Sequence, residues 1–315
     1  MDALTQAARV YADSHPGHDG IATTPVPGLR IKSLEAPQGD HYTVVRPLAL
    51  FVLQGAKRMA LGLEHCVLEA GQSTIVGADT PIVSRVEPAA CQAPYLAVAI
   101  EIEMTILFEV ATHIASGQPK AAKRGWCMHT DEADTAALDC VYRLLRLCEQ
   151  STAISLLRPG IMRELYYWLL SGRHGARLRT LCDPASHANR LAGAVALLRA
   201  QYRGRVTVDR LAAEAGMSLT AFHTHFKRML SLTPGQYQKR LRLIEARRLM
   251  LEEGMSASAA AFNVGYESVP QFTREYGRLF NVTPKRDALQ VRAASSRLGE
   301  IKPAQPRRRP TISLA

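Results

Sequence analysis

The sequence lacks several features that mark common classes of protein. Aromatic residues make up only 6% of the 315 residues, and no apolar run approaches the roughly 20 residues that span a bilayer. The opening residues contain no apolar segment of the kind found in a secretory leader. GxSxG, GxGxxG and a phosphate-binding glycine loop are all missing, so the sequence gives no support for an enzyme that depends on any of these motifs. We therefore expect a cytoplasmic protein with no membrane partner and no catalytic residues.

Cysteine is used without the spacing that a redox or metal site needs. None of the six cysteines forms a CxxC pair, which favours structural thiols in a reduced compartment. They are Cys66, Cys91, Cys127, Cys140, Cys148 and Cys182.

Histidine and paired acids also fall short of a catalytic constellation. The N-terminal half offers His41 and His65 but no HxH motif, so a site of two histidines and one carboxylate would need unusual partners. Glu101 and Glu103 alternate along one predicted strand and are typical of a solvated face. We predict neither a metal nor a cofactor.

Positive charge is concentrated at the C-terminal end. Residues 1–185 hold 17 basic and 19 acidic residues, for a net −2. Residues 186–290 hold 16 and 8, for +8, and residues 291–315 hold 6 and 1, for +5, which together give the +11 of the chain. This asymmetry indicates a polyanionic partner for the C-terminal part.

The texture of the N-terminal half is that of short strands. From about residue 21 to 110, apolar stretches such as LRIKSL and YLAVAIEIE alternate with turn signals every 8–12 residues, which is typical of an antiparallel barrel or sandwich. Helical periodicity then takes over from residue 104 to 182. Within it, the sequence predicts a helix start at Thr130 or Asp131, and another helix with Pro159 at its opening.

The C-terminal half contains an internal repeat. LAAEAGMSLTAFHTHFKRMLSLTPGQY (211–237) aligns with AAAFNVGYESVPQFTREYGRLFNVTPKRD (259–287), so that Phe222 matches Phe272 and Phe226 matches Tyr276. Gly216 and Gly265 lie one step out of phase, which predicts turns that differ by one residue. Each copy reads as a helix-turn-helix unit with an apolar stripe on its second helix.

Each of these second helices also carries an outward polar stripe. The first stripe is Thr220, His223, Thr224 and Lys227, and the second is Pro270, Gln271, Arg274 and Arg278. Side chains at this spacing share a helix face, as a helix that enters a major groove requires. His223 and His225 lie two residues apart and therefore on different faces, so metal binding by the pair is not expected.

One long helix is predicted between the copies, from about Pro234 to Leu251, with Gly254 ending it. Its length of about 25 Å is compatible with the roughly 34 Å between successive major grooves on one side of a duplex. Upstream, Asn189 is the predicted cap of a helix that leads into this region, after a link over residues 173–188.

At KRLRLIEARRLM, FNVGYES and QFTREYGRLFNVTP the sequence resembles the DNA-binding domain of the AraC/XylS family of transcriptional regulators. TPVPGLRI, EAGQSTIVGADTPIVSRV and APYLAVAIEIE resemble the family's cupin-like N-terminal domain. By this resemblance both recognition helices read DNA, although the first carries smaller side chains than family members often have there.

The resemblance implies a sequence-specific regulator of transcription whose N-terminal barrel senses a small effector. Base contacts would come from Thr220, His223, Thr224, Pro270, Gln271 and Arg274. Phosphate contacts would come from Lys227, Lys239, Arg240 and Arg278. A homodimer, formed by the helices after the barrel, and RNA polymerase are further implied partners.

The predicted fold class is α+β, with a small antiparallel barrel and flanking helices before an all-α domain. The predicted domains are an arm (1–20), a cupin-like sensing and dimerisation domain (21–182), a linker (183–188), the double helix-turn-helix domain (189–290) and a disordered basic tail (291–315). Two alternatives stay open: an architectural DNA-binding protein without an effector, and a cupin-type enzyme fused to a DNA-binding domain. Effector, operator and the choice between activation and repression are not specified by the sequence.

Overall fold

The computed structural model describes residues 1–36, 39–62, 64–87, 94–114 and 130–290. The chain divides into two compact units, Met1–Ile244 and the part that begins at Glu245. None of the described helices is long and apolar enough to cross a membrane. The predicted basic tail (291–315) falls outside the described residues.

The N-terminal part of the first unit is built from antiparallel strands in two sheets. The described strands are β1 (Ile21–Thr23), β2 (Leu29–Leu34), β3 (His41–Val45), β4 (Leu48–Gln54), β5 (Ala56–Leu61), β6 (Glu64–Glu69), β7 (Gln72–Val76), β8 (Thr80–Glu87), β9 (Tyr95–Glu101) and β10 (Thr130–Glu132). One sheet has the order β1-β2-β9-β4-β7-β10 and the other the order β3-β8-β5-β6. The predicted fold class is confirmed, but the barrel is not closed: no ladder joins the two sheets among the described strands.

Alternation of side chains gives the six-stranded sheet two apolar faces. On β4, Phe51 packs into the cluster that contains the helices, whereas Leu50 and Val52 pack into the cluster between the sheets. On β9, Val98 and Ala97 divide in the same way. Successive strand residues point to opposite faces, and both faces of this sheet are buried. The sequences of β4 and β9 are therefore nearly continuous apolar runs. We call the side that faces the second sheet the interior face.

Helices cover the other face of the six-stranded sheet. They are α1 (Asp2–Ser14), α2 (Met104–His113), α3 (Thr135–Arg146), α4 (Ser151–Ser171) and α5 (Gly175–Cys182). Leu4, Ala8 and Ala12 of α1 are buried in the same cluster as the sheet, so residues 2–14 form a packed helix. The helix predicted at residues 104–115 is confirmed by α2.

Three local predictions in this region are wrong. Thr130 and Asp131 belong to β10, which pairs with β7, and α3 instead begins after Asp134, whose carboxylate accepts from the Ala136 amide. Pro159 lies inside α4 rather than at its opening. The predicted link over residues 173–188 contains α5.

The helical part starts with α6 (His187–Ala200), α7 (Val208–Glu214) and α8 (Leu219–Leu230). Ser186, not Asn189, caps α6, since its hydroxyl accepts from the Asn189 amide. The predicted long helix is confirmed as α9 (Pro234–Leu251), which begins in the first unit and ends in the second. The second unit continues with α10 (Ala257–Asn263) and α11 (Val269–Phe280).

Candidate nucleic-acid interface and effector site

The first recognition helix, α8, is held by a cap and an apolar stripe. The Ser218 hydroxyl accepts from the Ala221 amide at 3.3 Å, which satisfies one of the unpaired donors at a helix start. Phe222 and Phe226 are completely buried, with ring centroids 5.4 Å apart. The opposite side, with Thr220, His223, Thr224 and Lys227, is exposed.

The second recognition helix, α11, repeats this construction. The Ser268 hydroxyl accepts from the Gln271 amide at 3.4 Å, and Pro270 lies in the first turn, where a missing amide proton costs little. Phe272 and Tyr276 are completely buried. Pro270, Gln271, Arg274 and Arg278 are exposed.

The backbone confirms the repeat that the sequence predicts. Both recognition helices end on a left-handed residue, Ser231 with φ 52° and Asn281 with φ 57°. Gly216 and Gly265 adopt φ 57° and φ 90° in the turns. The caps of the first helices, Thr207 and Ser256, are 49 residues apart, whereas the caps of the recognition helices, Ser218 and Ser268, are 50 apart. The second copy therefore has one extra residue between its first helix and its recognition helix.

The outward faces of these helices are neutral or positive. Arg274 forms no ion pair within the described part of the second unit. Glu275, the acid closest to it along α11, is half-buried and accepts from the Tyr266 hydroxyl at 2.8 Å. The Gln271 side chain donates to the same carboxylate at 3.4 Å. This leaves the Arg274 guanidinium available for a guanine edge or a phosphate.

The four predicted phosphate contacts are not equally exposed. Lys227, Lys239 and Arg278 are exposed, whereas Arg240 is half-buried. Burial lowers the pKa of Arg240, and Tyr42 of β3 is close enough to oppose that lowering. The four phosphate contacts stay predictions. The predicted match between the length of α9 and the distance between successive major grooves also stays a prediction.

The interior face of the sandwich carries two lysines in apolar surroundings. Lys57 on β5 shares its strand face with the buried Met59 and Leu61. Burial and the charge of Lys32 lower the pKa of Lys57 from its ordinary 10.5 to about 7. Burial likewise raises the pKa of Cys66, which lies on β6, to about 11. The strand pattern of the sequence does not predict these inward-facing polar groups.

These two halves of the molecule match known proteins. The family model for the AraC-type transcriptional regulator N-terminus matches residues 25–177, and the helix-turn-helix domain model matches residues 211–288. The HTH-type transcriptional activator RhaS of Escherichia coli O157:H7 is 30% identical over 159 residues, which are 50% of this chain and 56% of RhaS. The chain belongs to the AraC family of transcriptional regulators.

A second relative and a solved structure are also similar to this chain. The HTH-type transcriptional regulator ArgR of Pseudomonas aeruginosa is 32% identical over 107 residues, which are 34% of this chain and 32% of ArgR. The crystal structure of unsaturated fatty acid-bound ToxT from Vibrio cholerae covers 82% of this chain and 94% of ToxT, with a TM-score of 0.56 and 10% identity. The matched region thus spans about half of RhaS and a third of ArgR.

In this AraC-family chain the sandwich contacts the first helix-turn-helix unit directly. The Asp79 carboxylate pairs with the Arg199 guanidinium, and the Tyr237 hydroxyl donates to the Asp79 carbonyl at 2.6 Å. Burial raises the pKa of Asp79, and Arg199 offsets only part of that rise. Leu61 of β5 is completely buried in the cluster that also holds Phe226 of α8. The sequence could not reveal this contact, since Asp79 and Arg199 are 120 residues apart.

A second contact missing from the predictions lies inside the second unit. The Arg247 Nε donates to Asp287 at 2.8 Å, and the Tyr276 hydroxyl donates to the same carboxylate at 2.6 Å. Asp287 is buried. Hydrogen bonding and the negative charge of Asp287 add to burial in raising the pKa of Tyr276. The network ties the first helix of this unit to the core side of α11.

The histidines and paired acids take structural positions. The rings of His225 and His187 stack at 3.8 Å between centroids. His41 and His65 lie on opposite faces of the four-stranded sheet, because His41 pairs with Ser84 and His65 with Ala60. No group of three metal-ligating side chains occurs in the described ranges. Glu101 and Glu103, which the sequence predicts on a solvated strand face, form separate ion pairs, Glu101 with Arg30 and Glu103 with Arg158.

Proposed function

We propose that this AraC-family chain binds specific DNA sequences through α8 and α11 and regulates transcription in response to a small molecule bound between the sheets. The observation that carries the proposal is the duplicated recognition helix. Two copies share the same serine cap, buried aromatic pair and left-handed end, and each exposes a face without an exposed carboxylate. Two similar recognition helices suit a ligand with a repeating surface, such as the successive major grooves of a DNA duplex.

The exposed groups divide into two roles. Arg274 and Gln271 suit base edges, since an arginine can bond two acceptors of guanine and an amide can bond adenine. Lys227, Lys239 and Arg278 suit phosphates, which fix register without reading sequence. Thr220, His223 and Thr224 offer smaller groups on α8, so we expect α11 to contribute more discrimination.

The effector part of the proposal is supported by the sandwich and its neighbour in fold. Two packed sheets with apolar interior side chains can hold one small ligand. ToxT, which shares the fold, has been crystallised with an unsaturated fatty acid. The direct contact between the sandwich and α8 gives the bound state a route to the DNA-binding helices.

The test is capture of genomic fragments by the purified full chain, followed by affinity measurements on the recovered sequence and on random DNA. Arg274→Ala is compared with Arg146→Ala, which removes the same charge from an exposed position on α3. We expect Arg274→Ala to lose about 1–3 kcal/mol on the recovered sequence and much less on random DNA, and Arg146→Ala to lose neither. Equal losses on both DNAs, or recovery of no preferred sequence, would contradict the proposal.

Family membership favours a homodimer and RNA polymerase as further partners. Sedimentation of the full chain with and without the recovered DNA tests the first, and a run-off transcription assay tests the second.

A further inference from the structure

Two lysines project from different sheets toward the same interior. Lys57 lies on β5 opposite Leu68 and Val86, which are both buried in the interior cluster. Lys32 lies on β2 opposite Ala97 and two residues before Leu34, which belong to that cluster too. Each lysine keeps part of its surface open. The interior face therefore brings two ammonium groups together in an apolar setting.

No carboxylate of the described residues neutralises Lys57. Glu87 on the adjacent β8 pairs with Arg58, whose side chain lies on the other face of β5. The titratable groups that act on Lys57 are Lys32, which lowers its pKa, and Cys66, which raises it. Asp19 lies near Lys32 and offsets part of the lowering of that residue's pKa. Because an isolated buried charge is costly, a site of this kind is stabilised by an anion that enters it.

Two buried hydroxyls on the interior face have no hydrogen-bond partner among the described residues. They are the Tyr95 hydroxyl and the Thr74 hydroxyl. Tyr95 pairs with Leu34 across the ladder and Thr74 pairs with Leu50, so both share the face of the interior cluster. Tyr95 is only 2% exposed. Buried polar groups are nearly always bonded, and a ligand oxygen is one partner that would satisfy them.

The turn at Gly55 lies at the end of the sandwich that holds Lys57 and Tyr95. Gly55 joins β4 to β5 with φ 77°, and a Cβ at this glycine would lie 3.2 Å from the Tyr95 Cα. Lys57 is two residues further along. The remainder of the interior cluster is apolar and includes Leu34, Leu50, Val52, Met59, Leu68 and Ile82.

We propose that this interior site binds an organic monocarboxylic acid, with its carboxylate at Lys57, Lys32 and Tyr95 and its apolar body between the sheets. The inference rests on the proposed function, because it names the chemical class of the effector. A monoanion fits better than a phosphate ester, whose second charge and larger hydration shell would have to be given up to apolar walls. Charge-assisted bonds to an ammonium are the strong ones in such surroundings.

The site makes the binding of a carboxylate depend on pH. Lys57 is partly neutral near pH 7, and a bound carboxylate favours its charged form, so binding takes up a proton. With a pKa of about 7 in the free protein, the apparent affinity should fall about fivefold from pH 7 to pH 8. The other titratable or charged groups on the interior face or beside it are Lys32, Cys66, Tyr95, His41 on β3, Asp19 near Lys32, and the Arg30–Glu101 ion pair of β2 and β9.

The experiment is equilibrium dialysis of the full chain with octanoate, phenylacetate and benzoate, each matched by the alcohol of the same skeleton. We expect at least one acid to bind, and its alcohol to bind at least tenfold more weakly. Lys57→Met should weaken the acid at least tenfold and leave the alcohol unchanged. Lys57→Arg should retain the acid but lose the pH dependence, since a guanidinium stays charged. Arg146→Met, which removes an exposed charge, should match the wild type.

Three results would overturn the proposal: none of the three acids binds, an acid and its alcohol bind equally, or Lys57→Met binds the acid as the wild type does. A pH dependence that survives in Lys57→Met would show that another group takes up the proton and would refute the role of Lys57. If an acid binds at Lys57 but DNA binding does not respond, the carboxylate site stands and effector control fails. If another class of compound raises the melting temperature and alters DNA binding, effector control stands and the carboxylate site fails.

Discussion

Replacement of Lys57 by methionine should stabilise the first unit. A pKa that falls from 10.5 to about 7 corresponds to a cost of about 5 kcal/mol for the charged form. Since part of the Lys57 side chain is exposed to solvent, we expect the Lys57→Met substitution to raise the free energy of unfolding at pH 7 by about 2–4 kcal/mol, less than the full cost. Methionine retains the length of the side chain and fills the space between Met59, Leu68 and Val86.

The pH dependence separates this cause from a packing effect. The folded pKa lies below the unfolded one, so the unfolded chain binds more protons between pH 7 and 10.5 and the wild type gains stability as the pH rises. The cost is fully present below pH 7 and fades toward pH 10.5. The advantage of the Lys57→Met variant should therefore shrink by about 2 kcal/mol from pH 7 to pH 9.

Urea denaturation followed by tryptophan fluorescence measures this difference. Trp168 lies in α4 of the first unit, and no tryptophan follows it in the sequence, so its fluorescence reports on that unit and not on the second. Arg146→Met serves as the control, because it removes an exposed charge from the same unit. A Lys57→Met protein that is less stable than the wild type at pH 7, or whose advantage is the same at both pH values, would refute the buried-charge argument.

Three further predictions test separate contacts. Lys239→Ala should weaken binding to specific and random DNA alike and reduce the salt slope by about one unit in anisotropy titrations, and a loss confined to specific DNA would contradict it. Gly62→Ala should destabilise the first unit by about 1–3 kcal/mol in urea denaturation, since φ at Gly62 is 62° and a Cβ there would lie 2.6 Å from the Ser231 carbonyl oxygen. Gly71→Ala, with φ 87° and open space around the position, should destabilise it less, and equal losses would show that the contact with Ser231 is not the cause. Asp287→Asn should lower the stability of the second unit by about 3–5 kcal/mol by circular dichroism, and an unchanged transition would show that the network is dispensable.

The parts of the fold that sequence patterns predict well are those fixed by neighbours along the chain. The bounds of α9 follow from Pro234 and from the apolar spacing, and the turns follow from Gly216 and Gly265. Local signals fail where a distant partner decides. Thr130 starts β10 because β7 offers an open edge there, and Pro159 remains inside α4, where the helix loses one hydrogen bond but its apolar side stays packed on α2 and α3.

The candidate site divides in the same way. The exposure of Arg274 and Gln271 was predictable because helical spacing alone places them away from Phe272 and Tyr276, whereas their contacts with DNA stay a prediction. Lys57 was not, since a lysine in a strand is usually a solvated residue and only pairing with Leu68 and Val86 shows that it faces inward. The Asp79–Arg199 contact depends on the packing of two domains and leaves no trace in local sequence.

Strand β5 links the interior site to the first recognition helix. Lys57 faces the interior cluster, and Leu61, four residues further on, is buried beside α8, about 13 Å away along the strand. A strand bonded on both sides, to β6 and β8, shifts as a whole more readily than it bends. A ligand that pulls on Lys57 is therefore expected to move the turn at Gly62 against Ser231, at the end of α8.

This route predicts where an effector should act on bound DNA. Footprinting of the full chain on its recovered sequence, with and without the acid that binds at Lys57, should show altered protection at the half-site read by α8. Gly62→Ala should abolish the response without abolishing binding of the acid, because it changes the contact and not the site. Altered protection confined to the half-site of α11, or a full response in Gly62→Ala, would show that the signal does not travel through β5.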